Sequence, residues 1–466
     1  MDRRFKRRAL QKTLGSSFRD PAGFVFRDSK GTLLRQINTS GLSDFNLLSE
    51  TGLYDHLVQD HSLVKYKTLP LSRAFNKGTA AAIIQPDPIP FISYPFEWSF
   101  SQLKDAALLT LSIQKAALEH GMTLKDASAY NVQFYNGKPI FIDTLSFEKY
   151  EQGTPWQAYR QFCQHFLAPL ALMSYTDINL SQLSRVHLDG IPLDLASKLL
   201  PKKAKIRPGI AMHIVLHGRA QKSKEGEHQP KAKKLSKNGL IGIIESLERS
   251  LHKMQPIKVP TEWADYYDNT NYTASAADKK GKLVSQLIKP LKAKSVLDLG
   301  GNNGKYSRLL NHDNIFTICT DIDPNAVEAN YQYVKHNNES SMLPMVVDLV
   351  NPGGLLGWGN KERDSIAERL KCDIVMALAL IHHLAISNNL SLDMIAEYFS
   401  GFGQYLLIEF VPKTDSQVKK LLSTREDIFP SYNEEEFKKV FSQYYTLINE
   451  KTIPGTKRTL FLYKVK

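Results

Sequence analysis

The sequence has little cysteine. Cys163, Cys319 and Cys372 stand far apart, and none belongs to a CxxC pair. That excludes a disulfide framework and a zinc ribbon, and it suits a reducing, cytoplasmic setting. Long apolar runs are also missing. No stretch of about 18 apolar residues occurs, so no segment is expected to span a bilayer. The basic start, MDRRFKRRAL, is not followed by an apolar core of signal-peptide length. Acidic charge is in deficit: 47 Asp and Glu stand against 60 Lys and Arg, a net +13. The excess suits a polyanionic partner such as nucleic acid, an acidic glycan or, by peripheral contact, an acidic membrane surface. A basic balance is also common in enzymes with no such partner, so charge alone does not choose.

What is there has the organisation of at least two domains. Residues 1–215 show an α+β pattern. GFVFRD and GTLLRQIN read as a strand pair turning at Ser29-Lys30-Gly31. Ser101 to Gly121 has helical spacing and a glycine stop. YNVQFYNGKPIFIDTLSF reads as a hairpin around Asn136-Gly137. Residues 216–254 form a Lys-rich tract and an amphipathic helix, GLIGIIESLERSLHKM. The tract, Arg219 to Gly239, is too polar to offset its ordering entropy and reads as a solvated linker. Residues 255–466 alternate strands and helices, which implies an α/β, Rossmann-like, mostly parallel sheet.

The first strand of that sheet, SVLDL, runs into Gly300-Gly301-Asn302-Asn303-Gly304 and then a helix. In a doubly wound sheet the ligand lies at the carboxyl ends of the strands, and glycines let backbone approach it. Asp298 inside the strand end would repel a phosphate. It suits a ligand with an amino group and a sulfonium. The second strand ends in Asp321, 23 residues after Asp298. A carboxylate there can accept both ribose hydroxyls. The third ends in Asp348, suited to an adenine amino group. His382 and His383 follow the fourth, where a histidine can serve as base for an acceptor hydroxyl. Glu409 ends the fifth, and a His-His-Glu metal cluster is a lesser alternative there.

VLDLGGNNG, the acidic end of strand two, the Asp after strand three and the strand-four segment together resemble the class I S-adenosylmethionine-dependent methyltransferases over residues 295–466. The resemblance implies that Asp298, Gly300, Gly301, Asn302, Gly304, Asp321, Ile322 and Asp348 hold S-adenosylmethionine. Tyr266, Tyr267 and Tyr272 precede the first strand. In related enzymes similar aromatic residues cover the methionine moiety or the substrate, and here Tyr267 and Tyr272 take that part.

A second constellation lies in MTLKDASAYNVQFYNGKPIFIDTLSF. Asp126 is followed five residues on by Asn131 and twelve further by Asp143. This resembles the catalytic and metal-binding segments of protein kinases and kinase-like phosphotransferases. The resemblance implies Asp126 as base, Asn131 and Asp143 as Mg²⁺ ligands, and ATP as cofactor. PFEWSF resembles the interlobe hinge. A glycine-rich phosphate loop is missing, Asp143 is followed by Thr144-Leu145 rather than Phe-Gly, and Arg35 or Lys65 would have to take the place of the usual strand lysine.

A kinase-like module joined to a methyltransferase resembles the host-specificity nodulation methyltransferases, which share the W-x-x-Y-Y, IHHL and EFVP-type segments. It also resembles the kinase–methyltransferases that terminate polysaccharide chains, with domain order reversed. Both imply O-methylation of a saccharide or glycolipid, with the first module phosphorylating or presenting the acceptor. The alternatives are an RNA or ribosome methyltransferase that uses the basic residues to grip phosphates, and a non-catalytic scaffold.

Overall fold

The computed structural model describes residues 12–218, 234–257, 274–313, 315–423 and 425–466. The greater part of the Lys-rich tract, and Tyr266, Tyr267 and Tyr272, lie outside them. Two compact units emerge. The first comprises residues 1–96, 100–257 and 355–364; the second comprises 97–99, 258–354 and 365–466.

The first unit is α+β, with an antiparallel sheet ahead of a mainly helical part. Its strands are β1 (Lys12–Thr13), β2 (Gly23–Arg27), β3 (Leu33–Asn38), β4 (Tyr66–Leu69) and β5 (Ala80–Pro86), in the order β1-β2-β3-β5-β4. Side chains alternate across a strand. Leu34 of β3 therefore packs with Phe26 and Ile83 on one face. Ile37 packs on the other with Phe45 of α1 (Leu42–Glu50), Ile84 and Leu145. Arg35 shares the face of Ile37, which aims it at the segment that carries Asp143.

Next come α2 (Phe100–Glu119), β6 (Met122–Leu124), β7 (Val132–Tyr135), β8 (Lys138–Phe141) and β9 (Phe147–Lys149). β7 and β8 form the hairpin expected at Asn136-Gly137. Both turn residues have positive φ, 51° and 72°, as a two-residue turn of this hand requires. β6 pairs with β9. Helix α3 (Lys237–Lys253) buries Leu240, Ile244, Leu247 and Leu251, one stripe of a 3.6-residue period. It packs on α2, where Lys115 pairs with Glu248, and Lys104 donates to the Met254 carbonyl at 3.0 Å.

This docking departs from the sequence expectation. The helix at 237–253 belongs to the first unit because its apolar stripe is covered there. The Leu235 amide also donates to the Gly153 carbonyl at 2.9 Å. The Lys-rich tract thus leaves and re-enters one unit instead of linking two. Residues 355–364, which follow the third strand of the second unit in sequence, likewise count with the first: Glu362 pairs with Arg19 at 2.9 Å, and the Asp364 amide donates to the Tyr94 hydroxyl at 2.9 Å.

The second unit begins with α4 (Ala274–Ile288) and carries β10 (Ser295–Leu299), β11 (Phe316–Asp321), α5 (Pro324–Asn337), β12 (Met342–Val346), β13 (Cys372–Ala377), β14 (Gly403–Phe410), α6 (Glu434–Tyr444), β15 (Tyr445–Thr452) and β16 (Thr459–Val465). The sheet order is β12-β11-β10-β13-β14-β16-β15, with β10 to β14 parallel and β16 antiparallel between β14 and β15. The tail thus supplies two antiparallel strands to an otherwise parallel sheet. Strand order reverses at β10, between β11 and β13, which opens a crevice beyond the carboxyl ends of those strands. This is a class I methyltransferase fold.

Candidate functional site

A cavity of about 290 Å³ occupies that crevice. The end of β10 and the turn after it line it with Asp298, Gly300, Gly301 and Asn302. The end of β11 adds Asp321 and Ile322, and the segment after β12 adds Val347, Asp348, Leu349 and Val350. Leu378, Ala379, Leu380, His383 and Leu384 close it from the segment after β13, with Lys280 and Tyr306 at another side.

The turn is tight for a reason. A Cβ on Gly301 would stand 2.6 Å from the Cys319 sulfur and 2.8 Å from Asp298 Oδ2, so any side chain would displace the strand below. Gly304 has φ +79°, and a Cβ there would meet Arg308 and Asn330 at 2.8 Å. Gly304 does not line the cavity; it lets the chain turn behind it.

Each acid is held differently. Asp298 is buried, and Ser307 Oγ donates to its Oδ2 at 2.5 Å. Burial pushes its carboxyl up to about 7, against the pull of Ser307 and Lys280; nearby Asp321 adds to the rise. Burial raises Asp321 to about 6, although the Asp323 and Asn302 amides donate to it at 2.9 and 2.8 Å. Asp348 Oδ1 accepts the Val350 amide at 2.9 Å. Ile322 is 53 % exposed and forms an apolar wall beside Asp321.

This donor set fits S-adenosylmethionine. Three carboxylates repel a phosphate, whereas they match an ammonium, a sulfonium, ribose hydroxyls and an adenine amino group. Ile322 and Val350 supply apolar surface for a base.

The two histidines part company. His383 lines the cavity, and burial lowers its imidazole to about 4, so it is neutral at pH 7. His382 is 1 % exposed, does not line the cavity, and has a buried Nδ1 without a hydrogen-bond partner. Its ring lies 4.0 Å from that of His383. Glu409 pairs with Lys280 at 2.6 Å and with Arg458 at 3.4 Å, and Arg458 also pairs with Asp415 at 2.8 Å. Two cations thus hold the carboxylate that a His-His-Glu metal cluster would need. Among the described residues, no group of three or more His, Cys, Asp or Glu side chains converges to hold a metal.

Lys280 and Tyr306 were not read from the sequence. Lys280 did leave a signal: it falls in register with Ala276, Val284 and Leu287 on the buried face of α4, while Lys279 and Lys282 are exposed.

In the first unit the structure brings Asp126, Asn131 and Asp143 together. Asp143 accepts from Ser146 Oγ at 2.6 Å and from the Leu145 amide at 3.2 Å, and Arg35, rather than Lys65, pairs with it. Burial alone would raise Asp143; Arg35 and these donors more than offset that and hold it below the usual carboxylate range. Asn131 Nδ2 donates to Ser146 Oγ at 3.1 Å. Asp126 accepts the Ser128 amide at 2.9 Å, and burial, then Asp143, raises its carboxyl. These residues as packed do not fit Mg²⁺. The Arg35 guanidinium faces Asp143 where a cation would.

No known protein-family profile matches the chain. The nodulation protein NoeA of Rhizobium meliloti (strain 1021) is 34 % identical over 459 residues, spanning 97 % of this chain and 96 % of that protein. Among solved structures, WbdD shares 14 % identity over 44 % of this chain and 45 % of its own, with a TM-score of 0.32. The chain thus spans less than half of WbdD. The N-methyltransferase NodS from Bradyrhizobium japonicum WM9 shares 10 % identity over 41 % of this chain and 97 % of its own, with a TM-score of 0.32. The magnesium protoporphyrin IX methyltransferase ChlM from Synechocystis PCC 6803 shares 16 % identity over 44 % and 92 %, also at 0.32. With its second unit folded as a class I S-adenosylmethionine-dependent methyltransferase, and with one-third identity running along nearly all of both sequences, this chain belongs to the family of the nodulation protein NoeA.

Proposed function

We propose that the second unit transfers the methyl group of S-adenosylmethionine to a hydroxyl of a saccharide or glycolipid, and that the first unit presents that acceptor. One observation carries the proposal: a single cavity combines three carboxylates suited to a cationic nucleoside with a neutral imidazole, His383. Asp298 holds the donor ammonium, Asp321 the ribose hydroxyls and Asp348 the adenine amino group. The turn Gly300-Gly301-Asn302 lets the backbone close on the ligand. The donor supplies an electrophilic methyl carbon.

His383 receives the hydroxyl proton as the acceptor oxygen bonds to that carbon and the carbon–sulfur bond breaks. A weak base suffices, because the oxygen becomes far more acidic as it is alkylated. Most of the acceleration comes from alignment of oxygen, carbon and sulfur. His382, out of the cavity, packs behind its neighbour.

The internal neutralisation of Asp143 by Arg35 favours presentation over phosphorylation. Resemblance to nodulation-type and polysaccharide-terminating methyltransferases supports the acceptor class. The sparse, free thiols suit a cytoplasmic site of action. Incubation with methyl-labelled donor, in parallel with cell-envelope glycan and with total RNA, tests the reading. Label enters the glycan. Label confined to RNA overturns it in favour of an RNA methyltransferase, whose phosphate grip the net +13 would serve.

A further inference from the structure

Lys280 is buried on a helix face otherwise made of Ala276, Val284 and Leu287, where an aliphatic residue would pack as well. Burying an ammonium is costly unless it has a charged partner. Its Nζ lies 2.6 Å from Glu409 Oε2 and 4.3 Å from the centre of the Tyr306 ring, and both Lys280 and Tyr306 line the cavity. Burial lowers its basicity and Glu409 opposes that. Glu409 is fixed in turn by Arg458, and Arg458 by Asp415. Three buried or nearly buried charges, Glu409, Arg458 and Asp415, thus serve to hold one ammonium at the edge of the cavity.

The charge pattern of the cavity shows what such an ammonium is for. Among the described lining residues, Lys280 is the one Lys or Arg, set against Asp298, Asp321 and Asp348. The donor carries two cationic groups and one anionic group, its α-carboxylate. The acids suit the first two and repel the third. An ammonium offers three N–H groups, so engagement with Glu409 is compatible with a second carboxylate.

We propose that Lys280 binds the α-carboxylate of the methyl donor, with Glu409 and Arg458 as positioning residues. Lys280 would then make the cavity select amino-acid nucleosides over their decarboxylated counterparts. The proposal rests on the donor-site reading above.

Calorimetry with S-adenosylhomocysteine and with its decarboxylated analogue tests it. The full-length protein binds the first about 10- to 100-fold more tightly, the worth of one charge-assisted hydrogen bond. Lys280→Met removes that preference and leaves the two affinities alike, while Lys280→Arg keeps part of it. Thermal melts of each variant establish that it is folded. Equal affinity of the wild-type protein for the two ligands overturns the proposal without any variant. So does a preference that survives in Lys280→Met. Binding of neither ligand by the wild-type protein overturns the donor-site reading itself.

Discussion

The two units each gather carboxylates with an asparagine and a serine, and Asp143 of the first is held in the opposite way to Asp298 and Asp321 of the second. In the first, Asp143 is engaged by Arg35, Ser146 and the Leu145 amide, and Asn131 bonds Ser146. In the second, Asp298, Asp321 and Asp348 all line one cavity, and burial raises Asp298 and Asp321 instead of being offset. A carboxylate whose charge is met from within is structural. One that is buried with its charge only partly met keeps free energy in reserve for a ligand. Sequence motifs record that acids are present, whereas packing decides which of these they are.

The comparison can be broken most forcefully at Glu409. Glu409→Ala leaves Lys280 and Arg458 buried without their shared partner and destabilises the second unit by about 3–5 kcal/mol. Denaturant unfolding that shows a loss below 1 kcal/mol would mean the cluster is solvated. Next comes a matched pair. Asp298→Asn weakens S-adenosylhomocysteine binding about 100-fold, since it removes the charge that meets the ammonium. Asp126→Asn leaves it unchanged, and calorimetry on both variants reads the difference.

The third effect is the mildest and concerns pH. Asp298 is raised to about 7, so its proton must leave before the carboxylate can meet a cationic donor. Affinity therefore rises with pH through about 7 and levels off above it. It falls roughly tenfold per unit below, and more steeply under about 6, where Asp321 also takes up a proton. kcat/KM should follow this curve, while kcat, a property of the loaded enzyme, stays flat. A kcat that itself falls near pH 7 would assign the titration to the methyl-transfer step.

Much of this was legible in the sequence. The alternation after Ser295 fixed the parallel sheet, and the acids ending its first three strands marked the cavity, because ligand position in such folds follows from topology alone. The hairpin at Asn136-Gly137 was legible because so few residue pairs adopt two positive φ values in succession. Lys280 was not, since its burial depends on what covers α4, and only its register with apolar neighbours betrayed it. The divergence of His382 and His383 was hidden too, because adjacent residues in a short helical turn point in different directions. Arg35 stood out as a candidate cation, yet its pairing with Asp143 depends on which face of β3 meets Leu145. The attachment of α3 to α2 was equally a matter of tertiary packing.

That attachment alters what the Lys-rich tract can do. Its two ends are tied to the same body, at the helix before Gly218 and at the contact of Leu235 with Gly153. Its length therefore does not set the spacing between units. Closing a longer loop costs only about 0.6 kcal/mol for each doubling. Lengthening, shortening or recharging the tract should therefore leave both units folded, much as a handle can be resized without rebuilding the tool.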